Sequence, residues 1–492
     1  MNNNLKTIIG LEIHVQLNTR SKMFCGCDNN AENKEPNTVV CPVCMGYPGT
    51  LPVANVEAIK KTILTGLALN CEIPNESKFD RKHYFYPDLP KNFQISQYDQ
   101  PFAKKGKVDI YCSSPDADGT RTKGYSSRTS SSNSKRAIRI NRVHLEEDAG
   151  KLIHPKGTGY SLVDMNRCGT PLMEIVTEPD IDSPQMAKLF LKELRLIIRY
   201  LGVSDADMEK GHLRCDANIS VREQGTTPIV EIKNMNSFRA VESALKFEEG
   251  RLRDNFAELK KEKGKQTRSW NDKKGETRAM RRKEEASDYR YFPEPDVPPI
   301  TIGGKLQITN YKLQINLKEI KKEIPELPEE RRKRYLDLGL EAKAAETIVT
   351  KKSYSDYFDE AVRAGGEAHK IYDLMINEKA GITIPLKNLI AAIKLVGQGA
   401  ISQKMLKEIL PELKKGKNPD EIIKRRGLKQ MSDKRKLQLI ISKIIKNNPQ
   451  AVESYKEGKR EALGFLVGQV MRETRGQANP TLTNKILTKM LK

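Results

Sequence analysis

The sequence predicts an α+β protein, with strands and helices mixed over residues 1–294 and all-helical regions over 295–400 and 401–492. Three observations lead there. Up to about residue 295, stretches in which polar and apolar residues alternate are interspersed with stretches of helical apolar spacing. The run 291–299 then places Pro293, Pro295, Pro298 and Pro299 so close together that neither a helix interior nor a central strand accommodates them, which marks a boundary or a rigid strap. Beyond it, apolar residues recur at helical spacing almost to the end.

In chain order, strands are expected at 7–17, 137–145, 172–176, 213–221 and 229–233, and helices at 55–69, 183–201 and 237–261. The helix at 183–201 carries an apolar stripe through Met186, Leu189, Phe190, Leu194 and Ile197. Residues 126–135 are nearly all small or polar and read as a disordered surface insertion, and the charged run 260–283 reads as a mobile excursion. After the prolines, helices are expected at 328–340, opened by Pro328 in the first helical position, and at 342–351, 354–364 and 386–395. Short helices follow from 401 onward, closing with an apolar one at 460–471.

The chain has 492 residues and a net charge of +22, with 22 Lys+Arg against 9 Asp+Glu over 401–492, so +13 of the excess lies in that tail. Such a tail suits a polyanion, because Lys and Arg displace counterions from phosphates, but a solvated lysine-rich surface gives the same tally. No apolar run reaches the roughly 18 residues a membrane span needs. The first residues, Met1 to Lys6, lack the apolar core of a signal peptide, so a soluble cytoplasmic protein is expected.

Eight cysteines in such a chain argue against a disulfide framework. Four of them, Cys25, Cys27, Cys41 and Cys44, form two short-spaced pairs that can set four thiolates around a structural Zn²⁺. Four incidental thiols, or a partial site, remain the alternative. Cys71, Cys112, Cys168 and Cys215 are isolated and read as core or surface thiols.

Acids and histidines gather on strand faces. Over 10–17 the period of two puts Leu11, Ile13, Val15 and Leu17 on one side and Glu12, His14 and Gln16 on the other, where a carboxylate and an imidazole can share a divalent metal. An ordinary half-exposed strand has the same pattern. Strand 137–145 runs into Glu146, Glu147 and Asp148, and Glu174 stands alone in an otherwise apolar strand, costly to bury unless paired or metal-bound. His212, Arg214, Asp216 and Asn218 alternate with apolar residues in the same way. Together these suggest a sheet with one apolar side and one polar, metal-bearing side. Neither a P-loop nor a G-x-S-x-G elbow occurs, so any nucleotide chemistry must rest on metal ions and acids. The stretch 79–94 interleaves Phe79, Tyr84, Phe85, Tyr86 and Phe93 with Arg81, Lys82 and Lys91, which suits an unpaired nucleotide end or, equally, an aromatic core loop.

Residues 10–17, 77–100, 145–151, 161–180, 211–221, 231–238 and 288–297, with 464–471 and 476–480 in the tail, resemble the B subunits of bacterial aspartyl/glutamyl-tRNA amidotransferases. The resemblance implies a cradle-like N-terminal domain with a largely antiparallel sheet, a helical domain and a basic tRNA-binding tail. It implies partnership with an amidase subunit (A) that releases ammonia from glutamine, and with a small C subunit. The implied reaction is ATP- and Mg²⁺-dependent phosphorylation of the side-chain carboxylate of Glu-tRNA(Gln) or Asp-tRNA(Asn), followed by amidation. Carried over by motif, Glu12, His14, Glu147 (or its neighbour Glu146) and Glu174 are the implied Mg²⁺ ligands. Arg167, Lys210, His212 and Arg214 are implied for phosphate or substrate contact, and Arg81, Lys82 and Tyr84 for the acceptor end of the tRNA. The four-cysteine set belongs to only part of that family, so its zinc rests on spacing alone. A non-catalytic, zinc-stabilised tRNA-binding scaffold is the competing reading.

Overall fold

The computed structural model describes residues 4–113, 133–280, 289–302, 305–308, 311–428, 431, 433–474 and 476–491. Residues 126–132 of the serine-rich stretch, and 281–283 of the second charged run, lie outside the described residues. The chain divides into two compact units, Met1–Glu330 and Arg331–Lys492.

The first unit is built on a mixed, largely antiparallel sheet. Its strands lie in the order Glu276–Ala279, Lys265–Asn271, Ile229–Lys233, Leu213–Glu223, Lys6–Gln16, Pro171–Thr177, Asn133–Glu147, Ala103–Ser113. Only the pairing of Ile229–Lys233 with Lys265–Asn271 is parallel. The central strand Lys6–Gln16 shows why the sheet has two unlike faces. Ile9, Leu11, Ile13 and Val15 are fully or almost fully buried, joined by Val143, Met173, Ile175, Cys215 and Ala217 from neighbouring strands in one core.

Three helices supply the other side of that core. Asn55 accepts a hydrogen bond from the Ala58 amide and so caps Val56–Ala68. Pro184 opens Pro184–Leu201, which ends on Gly202 in the left-handed region (φ 67°). Ser237 caps Phe238–Asp254 through the Ala240 amide.

Two expectations change here. The charged run after residue 260 is an ordered part of the sheet edge, because Lys265–Asn271 pairs with Ile229–Lys233 and then turns into Glu276–Ala279. The proline-rich strap is not the end of the first unit. Phe292–Pro293 pairs with Asp80–His83 and Ile300–Thr301 with Glu76–Ser77, while Val297, Ile300, Ile302, Ile315 and Ile320 join the core. Proline interrupts regular structure, but it does not stop the flanking residues from burying apolar surface.

The second unit is helical, with Ala342–Val349, Lys352–Arg363, Leu386–Gly397 and Gln403–Lys414 among its members. Its last helices have a core of their own around Leu437, Ile441, Leu466, Val470 and Leu487. Among the described residues no helix is long and apolar enough to cross a membrane.

Candidate active site

The register of the sheet sets the site. His14 stands opposite Arg214 on one side and Glu174 on the other, and Glu174 in turn stands opposite His144. An imidazole, a carboxylate and a second imidazole therefore line one row across three strands. Period two brings Glu12 and Glu146 onto the same face, two residues away along the flanking strands.

His14 Nε2 lies 3.2 Å from Glu174 Oε2, 3.6 Å from Glu12 Oε1 and 3.8 Å from Glu146 Oε1. His144 Nε2 lies 3.3 Å from Glu174 Oε2 and 3.7 Å from Glu146 Oε2. Two triads result, Glu12–His14–Glu174 and His144–Glu146–Glu174, each with donor atoms within 4.8 Å of one another. Glu174 belongs to both.

Three carboxylates this close cannot all stay charged without compensation. Burial alone would lower both imidazoles, yet the Glu174 hydrogen bond and the charges of Glu174, Glu146 and Glu12 hold His14 up at about 9. His144 is raised for the same reasons. Burial would raise Glu174, but His144 and His14 hold it well below the usual carboxylate range. Burial would raise Glu146 too, but the His144 hydrogen bond together with the charges of Lys82 and His14 holds it lowered. Glu12 rises, through burial and the neighbouring Glu174 charge. A divalent cation would replace the protons that now balance this cluster. Three carboxylates with imidazole suit Mg²⁺ or Mn²⁺ better than a thiophilic ion.

Cations surround the acids. Arg142 Nη2 is 3.5 Å from Glu174 Oε1, and its Nε donates to His144 Nδ1 at 3.3 Å. Arg214 Nη2 holds Asp148 Oδ2 at 2.7 Å, while its buried Nε has no hydrogen-bond partner among the described residues. Gln16 and Arg167 also reach Asp148, at 3.1 and 3.5 Å, and the carboxylate is held low although burial opposes this. Burial would lower the Lys82 ammonium, but Glu146, Tyr291 and Glu174 keep it raised.

Not every sequence-derived residue sits here. Glu147, expected as a metal ligand, follows Glu146 on the strand and so points away from it. Its carboxylate pairs with Lys91 and accepts the Ile95 amide at 3.0 Å, which leaves Glu146 as the acid of that strand that faces His14 and His144. Arg81 is engaged by buried Glu294 (2.7 and 2.8 Å) and Asp296 (3.2 Å), and its guanidinium lies 4.3 Å over the Phe93 ring, so it fastens the strap rather than facing the acids. Lys210 is exposed and pairs with exposed Glu32 at 3.9 Å. The backbone carbonyl of His212 accepts the Gln16 amide. Tyr84 packs edge-on against Tyr289 at 6.2 Å, and Lys82 lies 5.1 Å over the same ring. The sequence reading did not single out His144, Arg142, Tyr289 or Tyr291. For His144 and Arg142 the signal was present: they share the parity of Glu146 on one strand.

The four cysteines form a second cluster, with Sγ atoms of Cys25, Cys27, Cys41 and Cys44 within 4.8 Å of one another. Cys44 is pulled down to about 5 by hydrogen bonding from Cys25 and the Cys41 backbone, and burial pushes Cys27 up to about 11. Four convergent thiols with one already inclined to ionise fit a tetrahedral Zn²⁺. The knuckle braces the loop before Glu174, since Cys168 Sγ contacts the Cys44 carbonyl at 3.4 Å and the Met23 amide donates to Gly169 O at 2.7 Å. Cys71, Cys168 and Cys215 are buried.

Residues 7–307 match the family model described as the GatB/GatE catalytic domain, and residues 356–491 match the one described as the GatB domain. The B subunit of the aspartyl/glutamyl-tRNA(Asn/Gln) amidotransferase of Thermotoga neapolitana is 46% identical over 506 aligned positions, covering 99% of each chain. The B subunits of the same name from Persephonella marina (46%, 99% of each chain) and Thermodesulfovibrio yellowstonii (44%, 99% of each chain) match over the same extent. With both family domains present and relatives aligned end to end, the chain belongs to the GatB family of aspartyl/glutamyl-tRNA(Asn/Gln) amidotransferase B subunits.

Proposed function

We propose that the acidic face activates the side-chain carboxylate of Glu-tRNA(Gln), Asp-tRNA(Asn) or both, by ATP-dependent phosphorylation. The carboxylate oxygen attacks the γ-phosphorus and ADP leaves. Ammonia from the partner amidase subunit (A) then adds to the acyl carbon, and phosphate departs with that oxygen to leave the amide. A cytoplasmic complex with that amidase and a small C subunit is the working form, a glutamine-dependent carbon–nitrogen ligase. The observation that carries this reading is Glu174, a buried carboxylate common to two metal-competent triads on the polar side of the sheet.

Glu12, His14, Glu146 and Glu174 would hold Mg²⁺, with His144 completing the second triad. When bound, Mg²⁺ neutralises phosphate charge and orients the transfer. Arg142 and Arg214 add fixed positive charge on either side of the acids, where transferring phosphoryl oxygens need it. Lys82, between the acids and the Tyr84–Tyr289 rings, is placed to orient the aminoacyl end of the tRNA. The basic tail supplies sequence-independent tRNA affinity. The four cysteines hold a structural Zn²⁺ that braces the loop leading to Glu174.

The test is trapping. With ATP and Glu-tRNA(Gln) but no ammonia source, hydroxylamine added to the complex should give an ATP-dependent γ-hydroxamate on the tRNA-bound glutamate. Full tRNA binding without any ATP-dependent hydroxamate would favour the non-catalytic scaffold instead.

A further inference from the structure

One lysine beside the cysteine cluster has surroundings that its chemistry does not tolerate alone. Lys22 is completely buried, at 0% exposure. Its Nζ donates to the Val39 carbonyl at 2.7 Å and lies 4.0 Å from Cys44 Sγ. Among the described residues no carboxylate forms an ion pair with it. Its stem is packed on one side by Gly169, where a Cβ would come within 3.5 Å of both Lys22 Cδ and Cys44 Cβ. The lysine stem thus lies against the loop that leads to Glu174.

An ammonium with a single neutral carbonyl for company is costly to bury. The negative charge in contact with the ammonium is sulfur, because the Glu147 carboxylate, which also borders Gly169, is engaged by Lys91. Four thiolates around a dication carry a net double negative charge, and a nearby N–H donor withdraws part of that charge from the sulfur it faces. The knuckle already shows one such contact, the Cys41 amide donating to Cys44 Sγ at 3.2 Å.

We infer that Lys22 is the fixed counter-cation of a four-thiolate zinc centre, set against Cys44 to hold the metal against loss. The inference rests on reading the cysteine cluster as a zinc site, and it adds a residue that does not touch the metal. Lys22 acts through the Cys44 sulfur, so it is a positioning residue of the centre.

The experiment uses the full chain, purified with zinc and again after metal removal. Native mass spectrometry counts the zinc, and a chromogenic chelator follows its release. Lys22→Gln can keep the hydrogen bond to Val39 but loses the charge, and Lys22→Met loses both. Wild type should hold one zinc per chain. Both variants should load zinc yet release it roughly 10- to 100-fold faster, as neutralising an outer partner of a metal ligand typically does. The metal-free variants should melt no lower than metal-free wild type, so the rise in Tm on adding zinc shrinks. Unchanged release rates overturn the inference. So does equal destabilisation of the zinc-bound and metal-free forms, or a Lys22→Gln chain that does not fold even with zinc, since each makes the lysine a packing element. A wild-type chain without zinc defeats the zinc reading itself, a result distinct from all of these.

Discussion

Replacing Glu174 by glutamine keeps the shape of the side chain and removes one charge from the centre of the proposed site. Its carboxylate faces His14 at 3.2 Å and His144 at 3.3 Å. At an effective dielectric constant of about 20, the contact with a protonated His14 imidazole is worth about 5 kcal/mol of gross attraction. Burying the carboxylate costs several kcal/mol, and its repulsion from Glu12 and Glu146 offsets more. Loss of the charge should therefore change folding stability by no more than about 2 kcal/mol. Chemistry has no such compensation. The proposed metal site loses the negative charge of the carboxylate its two triads share, so kcat/KM for tRNA amidation should fall by about 10²–10³, equivalent to about 2.7–4 kcal/mol. Single-turnover assays of the complex with labelled ATP and Glu-tRNA(Gln) measure the catalytic effect, urea titration the stability effect, and filter binding the tRNA affinity. Activity and tRNA affinity falling together would refute the reasoning, as would an active Glu174→Gln enzyme.

Other consequences can be checked separately. Glu146→Gln should impair amidation about as much as Glu174→Gln, whereas Glu147→Gln should mainly destabilise the fold, by about 2 kcal/mol, because it leaves the part-buried Lys91 without its charge partner; urea midpoints of Glu147→Gln with and without Lys91→Met distinguish this, the double variant regaining part of the loss. A cation held by His14 would displace the imidazole proton, whose pKa the neighbouring carboxylates hold up at about 9, so affinity for Mn²⁺ should rise with pH, by up to about tenfold per pH unit below that value. Electron paramagnetic resonance titrations at several pH values would show it, and a pH-independent affinity would mean that no imidazole proton is displaced. Lys485→Ala with Lys489→Ala, on one face of the last helix, should weaken tRNA binding and reduce its salt slope by about 0.7–0.9 for each phosphate no longer neutralised; an unchanged slope places the RNA-binding lysines elsewhere.

Much of this was legible in the residues because strands have a simple parity. Alternation alone put Glu12 and His14 on the face opposite Ile13, and the register then aligned His14 with Glu174. The same parity, applied to 144–147, separates Glu146 from Glu147; the motif match passed over it by treating adjacent acids as interchangeable. Pairing partners were harder to see. Nothing local in 265–271 says that this charged segment joins a distant strand in parallel, because that preference is created by Ile229–Lys233 and the helix between them. Arg81 reads as a nucleic-acid contact beside its aromatic neighbours until Glu294, more than two hundred residues away, is seen to hold it. Lys22 is an unremarked lysine in the sequence, and only burial next to Cys44 gives it meaning.

The most direct measurement follows one oxygen atom. Glu-tRNA(Gln) carrying ¹⁸O in the glutamate side-chain carboxylate is turned over by the complex with ATP and glutamine, and the released inorganic phosphate is analysed by mass spectrometry. If the carboxylate is phosphorylated on this face, one labelled oxygen appears in phosphate for each amide formed. Phosphate free of ¹⁸O alongside normal amide yield would contradict the account at its centre.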